Sequence, residues 1–432
     1  MAHAVTYVDS WDHKDLHIEA HQLRRVNELL LFAAQYNEFY REKLHDVVLP
    51  IRDMKALRKL PLTRKQELVE DQMQHPPYGR NHSYPASKYV RYHQTSGTTG
   101  KPLKVLDTQQ SWEWWTDCWL DVLRSAGVTA HDRVFLAFSF GPFIGFWAAY
   151  EGAEKLGALV IAGGGQGSVE RLNSIVTNEA TVILCTPSYA LHLAEVAREN
   201  GIDIRNSHVK KLIHAGEPGA SIPAVRDAIE TAWGGKCYDH SGMTEMGAYG
   251  YSCDEQCGLH VNEREFLAEI VDPETLEPVA PGETGELVLT NLGRYGFPLI
   301  RYRTGDIVLR SDELCACGNP YRLLPGGIIG RADDMVVVRG VNVYPQSLEA
   351  IVREFEEVTE FRIVYETVEE MVQVKLQVEA PESVVKPLSA KLRQRIGLRI
   401  EVETVPANTL PRFEMKARRI LDLRPKPGAP TR

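Results

Sequence analysis

Residues 93–104, HQTSGTTGKPLK, concentrate hydroxyl side chains, glycines and a lysine in one short stretch. Hydroxyls donate hydrogen bonds to phosphate oxygens, glycines let backbone N–H groups approach those oxygens, and a lysine adds a mobile positive charge. The stretch therefore indicates a loop that binds the triphosphate of a nucleotide. A glycine-rich hairpin turn with a solvated lysine is the alternative that this stretch alone leaves open.

The spacing within this stretch excludes one type of nucleotide loop. The P-loop of NTPases has four residues between its glycines and a Ser or Thr directly after its lysine. Here Gly97 and Gly100 are separated by two residues, and Pro102 follows Lys101. The KVLDT that comes next favours a strand rather than the helix that follows a P-loop. A different phosphate-binding architecture is predicted.

Two acidic side chains follow glycine-containing turns further along the chain. Glu245 ends the string YDHSGMTE, and Asp306 ends YRTGD. A hard carboxylate oxygen suits magnesium, which predicts a metal role for Glu245. A tightly presented carboxylate such as that of Asp306 can accept hydrogen bonds from two hydroxyl groups of a ligand. A solvated loop glutamate and a turn-capping aspartate are the alternatives.

Cysteine and histidine side chains are clustered on two segments. Cys253, Cys257 and His260 lie on one, and Cys315 and Cys317 on the other. These five candidates compete for the four positions of a tetrahedral structural zinc. Reduced, unliganded side chains are the alternative.

The elements that must position these residues follow from the hydrophobic pattern. Between 133 and 238, short continuous apolar runs alternate with helical segments, which indicates a mostly parallel sheet covered on both faces. Ligands bind such sheets at the carboxyl ends of the strands. After 265 the sequence changes to strands with turn signals, and from about 330 it favours a small α+β unit.

The predicted fold class is α/β. We expect a large N-terminal domain, residues 1–330, with mostly parallel sheets covered by helices. A β-rich subdomain is expected within it at about 250–330. A small α+β domain is expected at residues 331–432.

Composition limits the classes of partner. The chain has 432 residues with a formal net charge of -9 and no long basic run, so binding of nucleic acid or an anionic membrane is not favoured. No apolar stretch is long enough for a membrane helix, and the N-terminus MAHAVTYVDSWDHKD is unlike a signal peptide. These features predict a cytoplasmic protein that acts on small molecules, and a homodimer is left open.

The TSGTTGKP string resembles the phosphate loop of adenylate-forming enzymes, the superfamily of acyl-CoA synthetases, adenylation domains and luciferases. Three further matches occur in the order of that family, at 238–245, 302–306 and 330–334. The resemblance covers the chain from about residue 60 to the end. Within the superfamily, LIRYRTGD, GRADDMVVVRGVNVYPQSLE and LPRFEMKARRI are most similar to phenylacetate-CoA ligases and other aryl-CoA ligases.

The resemblance implies a set of residues around the nucleotide. Thr244 and Glu245 serve the phosphates and magnesium, and Lys416 is catalytic; a lysine in a basic, solvated tail is its alternative. Residues 215–217 and 238–240 line the two sides of adenine, Asp306 binds the ribose hydroxyls, and Arg331 lies beside the ribose. The implied nucleotide-binding residues are Thr95, Ser96, Gly97, Thr98, Thr99, Gly100, Lys101, Ala215, Gly216, Glu217, Tyr238, Asp239, His240, Asp306 and Arg331.

The stretch 140–148 supplies aromatic side chains that suit an aryl acid, although such a run before a helix also fits plain core. His240 departs from the aromatic residue expected in a phenylacetate enzyme, so a hydroxy- or aminobenzoate such as anthranilate competes with phenylacetate. The implied acid-binding residues are Phe140, Gly141, Phe143, His240, Gly242 and Met243.

Some aryl-CoA ligases of this branch carry a zinc ion, with the spacing of Cys253 and His260 before a Cys-x-Cys pair. This implies Cys253, His260, Cys315 and Cys317 as the ligands of a structural Zn²⁺ and leaves Cys257 as the spare thiol.

The implied activity uses ATP, Mg²⁺ and coenzyme A in two steps. An aromatic carboxylate attacks the α-phosphate of ATP to give an acyl-adenylate and pyrophosphate, and the coenzyme A thiol then displaces AMP to give a thioester. The N-terminal domain is implied to bind the nucleotide and the acid. The C-terminal domain is implied to be a mobile lid that swings about Asp333 between the steps and presents Lys416 for the first. Transfer to a carrier protein or an amine, and a non-catalytic nucleotide-binding scaffold, are the alternatives.

Overall fold

The computed structural model describes residues 17–95, 101–138, 141, 144, 147–339, 341–368, 371–413, 417 and 419–424. Its helices are α1 (Ile18–Tyr36), α2 (Glu38–Lys43), α3 (Met54–Leu57), α4 (Lys65–Gln74), α5 (Gln109–Ser125), α6 (Trp147–Leu156), α7 (Ser168–Thr177), α8 (Pro187–Glu199), α9 (Pro223–Trp233), α10 (Pro345–Val352) and α11 (Val385–Ile396). Among the described residues, no helix has the length and apolar character that crossing a membrane requires.

The strands of the N-terminal part are β1 (Tyr89–Gln94), β2 (Lys104–Thr108), β3 (Arg133–Leu136), β4 (Leu159–Ala162), β5 (Val182–Cys185), β6 (Lys211–His214), β7 (Lys236–Met243), β8 (Gly247–Tyr251), β9 (Gly258–Val261), β10 (Phe266–Val271), β11 (Thr284–Asn291), β12 (Tyr302–Leu309), β13 (Leu323–Pro325) and β14 (Ile328–Arg331). The remaining strands are β15 (Val336–Val338), β16 (Val341–Val343), β17 (Glu360–Val368), β18 (Met371–Glu379), β19 (Glu401–Thr404) and β20 (Ile420–Asp422).

The largest sheet has eight strands in the order β13-β9-β8-β7-β6-β5-β3-β4. Strands β3, β4, β5, β6 and β7 run parallel to one another. All four residues of β5 are buried, which is why its sequence VILC is a continuous apolar run. The predicted helix-covered, mostly parallel sheet is confirmed.

The large sheet continues beyond its parallel part. The chain turns at 244–246 and returns as β8, antiparallel to β7, and β9 and β13 extend the same edge. Part of the segment at 250–330 therefore belongs to the large sheet. The rest forms a second, antiparallel sheet in the order β10-β11-β12-β14, which the turn signals had indicated.

The C-terminal part has its own hydrophobic core. The β17–β18 hairpin is flanked by β19 and β20, which run parallel to their neighbours. Among the described residues of this part, nineteen buried hydrophobic side chains between Val336 and Val402 form one cluster, separate from those of the large sheet. The predicted α+β unit at this end is confirmed. A core of its own lets this part move as one body, which is what a lid requires.

Helix α5 connects the phosphate-loop hairpin to the core. Thr108, the last residue of β2, caps the helix, because its hydroxyl oxygen accepts a hydrogen bond from the backbone N–H of Ser111 at 3.1 Å. The helix then buries Trp112, Trp115 and Trp119. The end of β2 is thereby fixed against the large sheet.

Candidate active site

The predicted phosphate loop connects two antiparallel strands. β1 pairs with β2, and the hairpin is closed at Thr95, whose backbone N–H donates to the Leu103 carbonyl oxygen at 3.0 Å. The Thr95 hydroxyl oxygen accepts from the Leu103 N–H, also at 3.0 Å. A strand follows the loop, so the architecture is not that of a P-loop. Thr95 is buried and Lys101 is exposed.

A fully buried ion pair joins this hairpin to the turn that carries Glu245. Arg294 and Asp107, both 0% exposed, form two hydrogen bonds of 2.7 and 2.6 Å. A third guanidinium nitrogen, NH1, donates to the carbonyl oxygens of Thr244 and Glu245 at 2.9 and 2.8 Å. Arg294 thus fixes the backbone of the 244–245 turn relative to β2. No local sequence pattern predicts this pair.

Glu245 is buried, and its Oε1 accepts a hydrogen bond from the Tyr302 hydroxyl at 2.8 Å and lies 3.2 Å from the Lys65 Nζ. Burial acts to raise the pKa of this carboxyl, but the nearby Lys65 charge and the hydrogen bonds outweigh it, so the pKa is lowered. Glu245 therefore carries a negative charge at neutral pH, the form that binds a cation. Lys65, at the first position of α4, has no local sequence signal that predicts this contact. The N-cap of the helix is Arg64, whose backbone N–H donates to the Glu67 carboxylate.

Asp306 and Arg331 lie side by side where β12 and β14 pair. The Arg331 guanidinium donates to Asp306 Oδ1 at 2.7 Å, and the Tyr249 hydroxyl donates to Oδ2 at 3.1 Å. Arg331 is half-buried, and Asp306 is buried. The structure thus brings together the two side chains that the sequence assigned to the ribose from motifs 25 residues apart.

Residues 215–217 follow β6 at the carboxyl edge of the large sheet. Gly216 has a φ of +93°, a conformation that favours glycine. Just beyond, the Asp239 carboxylate accepts hydrogen bonds from the N–H groups of Ala220 and Ser221 at 2.9 and 2.6 Å. Asp239 therefore orders the loop that follows Glu217.

Tyr238 and His240 flank Asp239 on β7 but face different surroundings. The Tyr238 hydroxyl donates to Asp254 Oδ1 at 2.7 Å. The His240 ring packs on Trp119 at 4.3 Å between ring centroids, and its Nδ1 lies 2.9 Å from the Gly250 carbonyl oxygen. Burial lowers the pKa of His240 to about 4. The ring is therefore neutral, and since Nδ1–H donates to the carbonyl, Nε2 is a hydrogen-bond acceptor.

The acid-pocket residues on β7 lie beside that acceptor. A side chain at Gly242 would place its Cβ 2.9 Å from His240 Nε2, so glycine keeps the space in front of the ring open. Met243 pairs with Gly247 across the turn. The Gly141 carbonyl oxygen accepts a hydrogen bond from the Trp147 indole at 3.2 Å.

Several predicted site residues lie outside the described residues. They are Ser96, Gly97, Thr98, Thr99 and Gly100 of the phosphate loop, Phe140 and Phe143 of the acid pocket, and Lys416. Their roles stay predictions.

The four predicted zinc ligands lie together. One ligand atom from each of Cys253, His260, Cys315 and Cys317 lies within 4.8 Å of the others. The Cys253 and Cys315 sulfurs are 3.7 Å apart, and the Cys317 sulfur is 3.4 Å from His260 Nε2. The fifth candidate is close by, because Cys257 Sγ lies 3.6 Å from Cys315 Sγ.

Two segments of the chain match known protein families. Residues 31–293 match the AMP-binding enzyme family, and residues 340–424 match the AMP-binding enzyme C-terminal domain. The first match covers more than half of the chain. The chain therefore belongs to the AMP-binding enzyme family, as its motifs had indicated.

Full-length relatives are similar over nearly the whole chain. The phenylacetate-coenzyme A ligase of Escherichia coli (strain K12) is 32% identical over 95% of this chain and 96% of its own length. That of Thermus thermophilus is 31% identical over 94% of this chain and 97% of its own. Among solved structures, that of 2-hydroxyisobutyryl-CoA ligase in the postadenylation state superposes on this chain with a TM-score of 0.88. The two sequences are 32% identical, and the match covers 94% of this chain and 89% of the ligase chain.

The same ligase in a second state allows the arrangement of the two domains to be compared. The same 2-hydroxyisobutyryl-CoA ligase, with its acyl-AMP and CoA in the thioesterification state, is again 32% identical and again covers 94% of this chain, but the TM-score is 0.71. Because identity and coverage are unchanged, the lower score reflects a different arrangement of the domains. The arrangement in this chain is the more similar to the postadenylation state.

Proposed function

We propose that this chain activates an aromatic carboxylic acid with ATP to an acyl-adenylate and transfers the acyl group to coenzyme A, which gives an aryl-CoA thioester and AMP. One observation carries the proposal: the chain is 31–32% identical, over 94–95% of its length, to phenylacetate-coenzyme A ligases that it matches nearly end to end. The carboxylates of Glu245 and Asp306, which the family motifs assign to the nucleotide, are both buried and both held by tyrosine hydroxyls.

The proposed nucleotide site assigns one role to each group. The phosphate loop and Lys101 bind the triphosphate, Asp306 accepts from the ribose hydroxyls, and Arg331 holds Asp306 in place. Ala215, Gly216 and residues 238–240 flank adenine. The Glu217 carboxylate has other partners, because both of its oxygens accept hydrogen bonds from main-chain N–H groups. Glu245, with Thr244 beside it, is the carboxylate that fits Mg²⁺, because it is buried and its lowered pKa keeps it ionised. A magnesium ion bound there offsets the phosphate charge.

The chemistry proceeds in one site. In the first step an oxygen of the acid forms a bond to the α-phosphorus, and the bond to pyrophosphate breaks. In the second step the sulfur of coenzyme A forms a bond to the acyl carbon, the bond to AMP breaks, and the thiol proton is lost. The lid, residues 331–432, is proposed to rotate about Asp333 between the steps and to present Lys416 to the first.

His240 is proposed to select the acid. Its Nε2 is an acceptor in a largely apolar environment beside Trp119, so it favours an acid that carries a hydroxyl or amino group near that atom. A hydroxy- or aminobenzoate satisfies this, and so does a branched 2-hydroxy acid. The 32% identity to 2-hydroxyisobutyryl-CoA ligase makes the 2-hydroxy acid the second candidate substrate class.

A pyrophosphate-release screen tests the substrate class. We expect benzoate, anthranilate, hydroxybenzoates or phenylacetate to be activated more efficiently than octanoate or 2-hydroxyisobutyrate. If His240 reads a substituent, the best acid should lose a large part of its kcat/KM, up to the 10⁴-fold range, when that substituent is removed. A preference for 2-hydroxyisobutyrate would support the second class, and equal rates with octanoate would refute the aryl assignment.

The acceptor is tested in the same assay. We expect thioester to form with coenzyme A, as judged by mass spectrometry. Adenylate that accumulates and is not converted by coenzyme A would favour a carrier protein or an amine. Absence of pyrophosphate release with every acid would favour a nucleotide-binding scaffold.

The Cys253, His260, Cys315 and Cys317 group is proposed to hold a structural zinc ion. A tetrahedral zinc with Zn–S bonds of about 2.3 Å places two sulfurs about 3.8 Å apart, and a sulfur and a nitrogen about 3.5 Å apart. The observed separations of 3.7 and 3.4 Å fit that ion. The His260 Nδ1 also lies 3.2 Å from the Tyr321 carbonyl oxygen, which orients Nε2 towards the thiols.

Zinc is expected at about one equivalent in the purified protein. Since all four ligands would be protein groups, Cys315→Ser should lose the metal and lower the Tm by about 5 °C or more, with less effect on the kcat of the folded fraction. Cys257→Ser is the matched control, because Cys257 is the spare thiol, and should keep the metal. Elemental analysis and calorimetry decide this; a stable, metal-free wild type would contradict it.

The homodimer and the cytoplasmic location are not tested by these observations and stay predictions.

A further inference from the structure

The Glu217 carboxylate connects the N-terminal domain to the C-terminal domain. Its Oε1 accepts a hydrogen bond from the backbone N–H of Ser188 at 2.9 Å. Its Oε2 accepts from the backbone N–H of Ala417, also at 2.9 Å. Ala417 directly follows Lys416 in the chain. One carboxylate therefore holds the backbone next to the proposed catalytic lysine.

The N-terminal side of this contact is fixed by its own domain. Ser188 lies in the first turn of α8, where backbone N–H groups have no partner within the helix. Thr186 caps that helix through its hydroxyl oxygen, which accepts from the Tyr189 N–H at 3.2 Å. Glu217 satisfies the Ser188 N–H, and the helix dipole favours its negative charge. Oε1 is thus anchored, and Oε2 meets the other domain.

The C-terminal side makes a second contact two residues further on. Arg419 is held within its own domain by Glu360 and Glu349, at 2.6 and 3.1 Å. Its NH1 also donates to the Ser188 side-chain oxygen at 3.1 Å. The residues on either side of position 418 thereby bind two neighbouring groups at the start of α8.

The contact belongs to one domain arrangement. It is present in a chain whose arrangement is more similar to the postadenylation state than to the thioesterification state of a 32% identical ligase. A rotation of the C-terminal domain separates Ala417 from Glu217, because Ala417 belongs to that domain and Glu217 to the N-terminal domain. The contact must break before the second step and form again for the first.

We propose that Glu217 is a positioning residue that docks the lysine-bearing segment for adenylate formation and releases it for thioester formation; this rests on the proposed function. Its carboxylate accepts from the main chain, so the contact sets the position of the backbone whatever side chain stands at 417. The role differs from the adenine wall that the sequence assigned to residues 215–217. An adenine wall acts on nucleotide affinity, whereas a docking group acts on the balance between two arrangements.

Half-reactions distinguish these roles. Glu217→Ala should lower the rate of pyrophosphate release about 10-fold or more, the effect of a lost hydrogen bond to a charged group. Thioester formation from supplied acyl-adenylate should keep its rate or increase, and the Kd for ATP should stay the same. Ser188→Ala, which removes only the oxygen that Arg419 contacts, should act in the same direction and less. A rise in the Kd for ATP with equal losses in both steps would overturn the proposal.

Hydrogen exchange supplies a test that needs no activity. In the unliganded full-length chain, we expect the peptide that contains Ala417 to exchange faster in Glu217→Ala than in wild type, while peptides from α11 are unchanged. Glu199→Ala is the matched control, since it makes the same change at the exposed far end of α8. Unchanged exchange near Ala417 would overturn the docking contact. Faster exchange in a chain that activates no acid would instead refute the proposed function and leave the contact standing.

Discussion

Lys416→Ala is expected to lower adenylate formation by about 10²- to 10³-fold and to leave thioester formation from supplied acyl-adenylate nearly unchanged. The acid and the triphosphate are both anions, so the approach of the attacking oxygen to phosphorus needs a cation where charge develops. Thiolysis needs no cation at that place. The lysine should therefore act on one step.

The paired measurement is pyrophosphate release from acid and ATP beside thioester formation from synthetic adenylate. Lys386→Ala makes the same change on the exposed face of α11 in the same domain and should affect neither. Equal losses in both assays for Lys416→Ala would mean that the residue acts through folding or general nucleotide binding. Unchanged rates would assign Lys416 to the basic tail.

Lys416→Ala and Glu217→Ala should affect the same half-reaction, and the loss of rate should differ in magnitude between them. Both are expected to slow the first step alone. Glu217 acts through the backbone N–H of Ala417, so its loss leaves the lysine in the chain and shifts only how often the lid is docked. A double variant should therefore lose little more than Lys416→Ala alone, because docking has no effect once the docked charge is gone.

Arg294→Met is expected to lower the free energy of unfolding by about 3–5 kcal/mol. The change leaves the Asp107 carboxylate, which is 0% exposed, without its cation, and it removes the donor to the carbonyl oxygens of Thr244 and Glu245. The desolvation of an unpaired buried charge is the larger of these costs. Urea denaturation with a fixed m-value measures it.

Two controls separate the charge from the packing. Arg24→Met breaks an ion pair with Glu28 in which the two side chains are 59% and 47% exposed. It should lower the free energy of unfolding by under about 1 kcal/mol. Adding Asp107→Leu to Arg294→Met removes the unpaired charge and should recover part of the lost stability. Both the single and the double variant should have low activity, because the 244–245 turn stays unsupported in each. A loss equal to that of Arg24→Met would contradict the proposed role of this pair.

The exclusion of a P-loop, the order of the family motifs and the parallel part of the large sheet were predictable from sequence because each depends on local spacing. Two residues between Gly97 and Gly100 excluded a P-loop, and the alternation of apolar runs with helical segments from 133 onward predicted a parallel sheet. Cysteine and histidine spacing predicted five candidate metal ligands, and the resemblance to aryl-CoA ligases selected the four whose ligand atoms the fold brings within 4.8 Å of one another.

Tertiary structure alone decided which charged side chains meet. Asp107 and Arg294 are 187 residues apart, and neither has a local pattern that marks it as half of a buried pair. Lys65 reaches Glu245 from the first turn of α4, and no residue pattern around Lys65 marks that partner. Glu217 was assigned to adenine by resemblance, yet both of its oxygens accept hydrogen bonds from main-chain N–H groups of different domains. Spacing encodes the geometry of neighbours along the chain, whereas the partner of a charge depends on which distant segments the fold brings into contact, and a backbone N–H donor has no sequence signature at all.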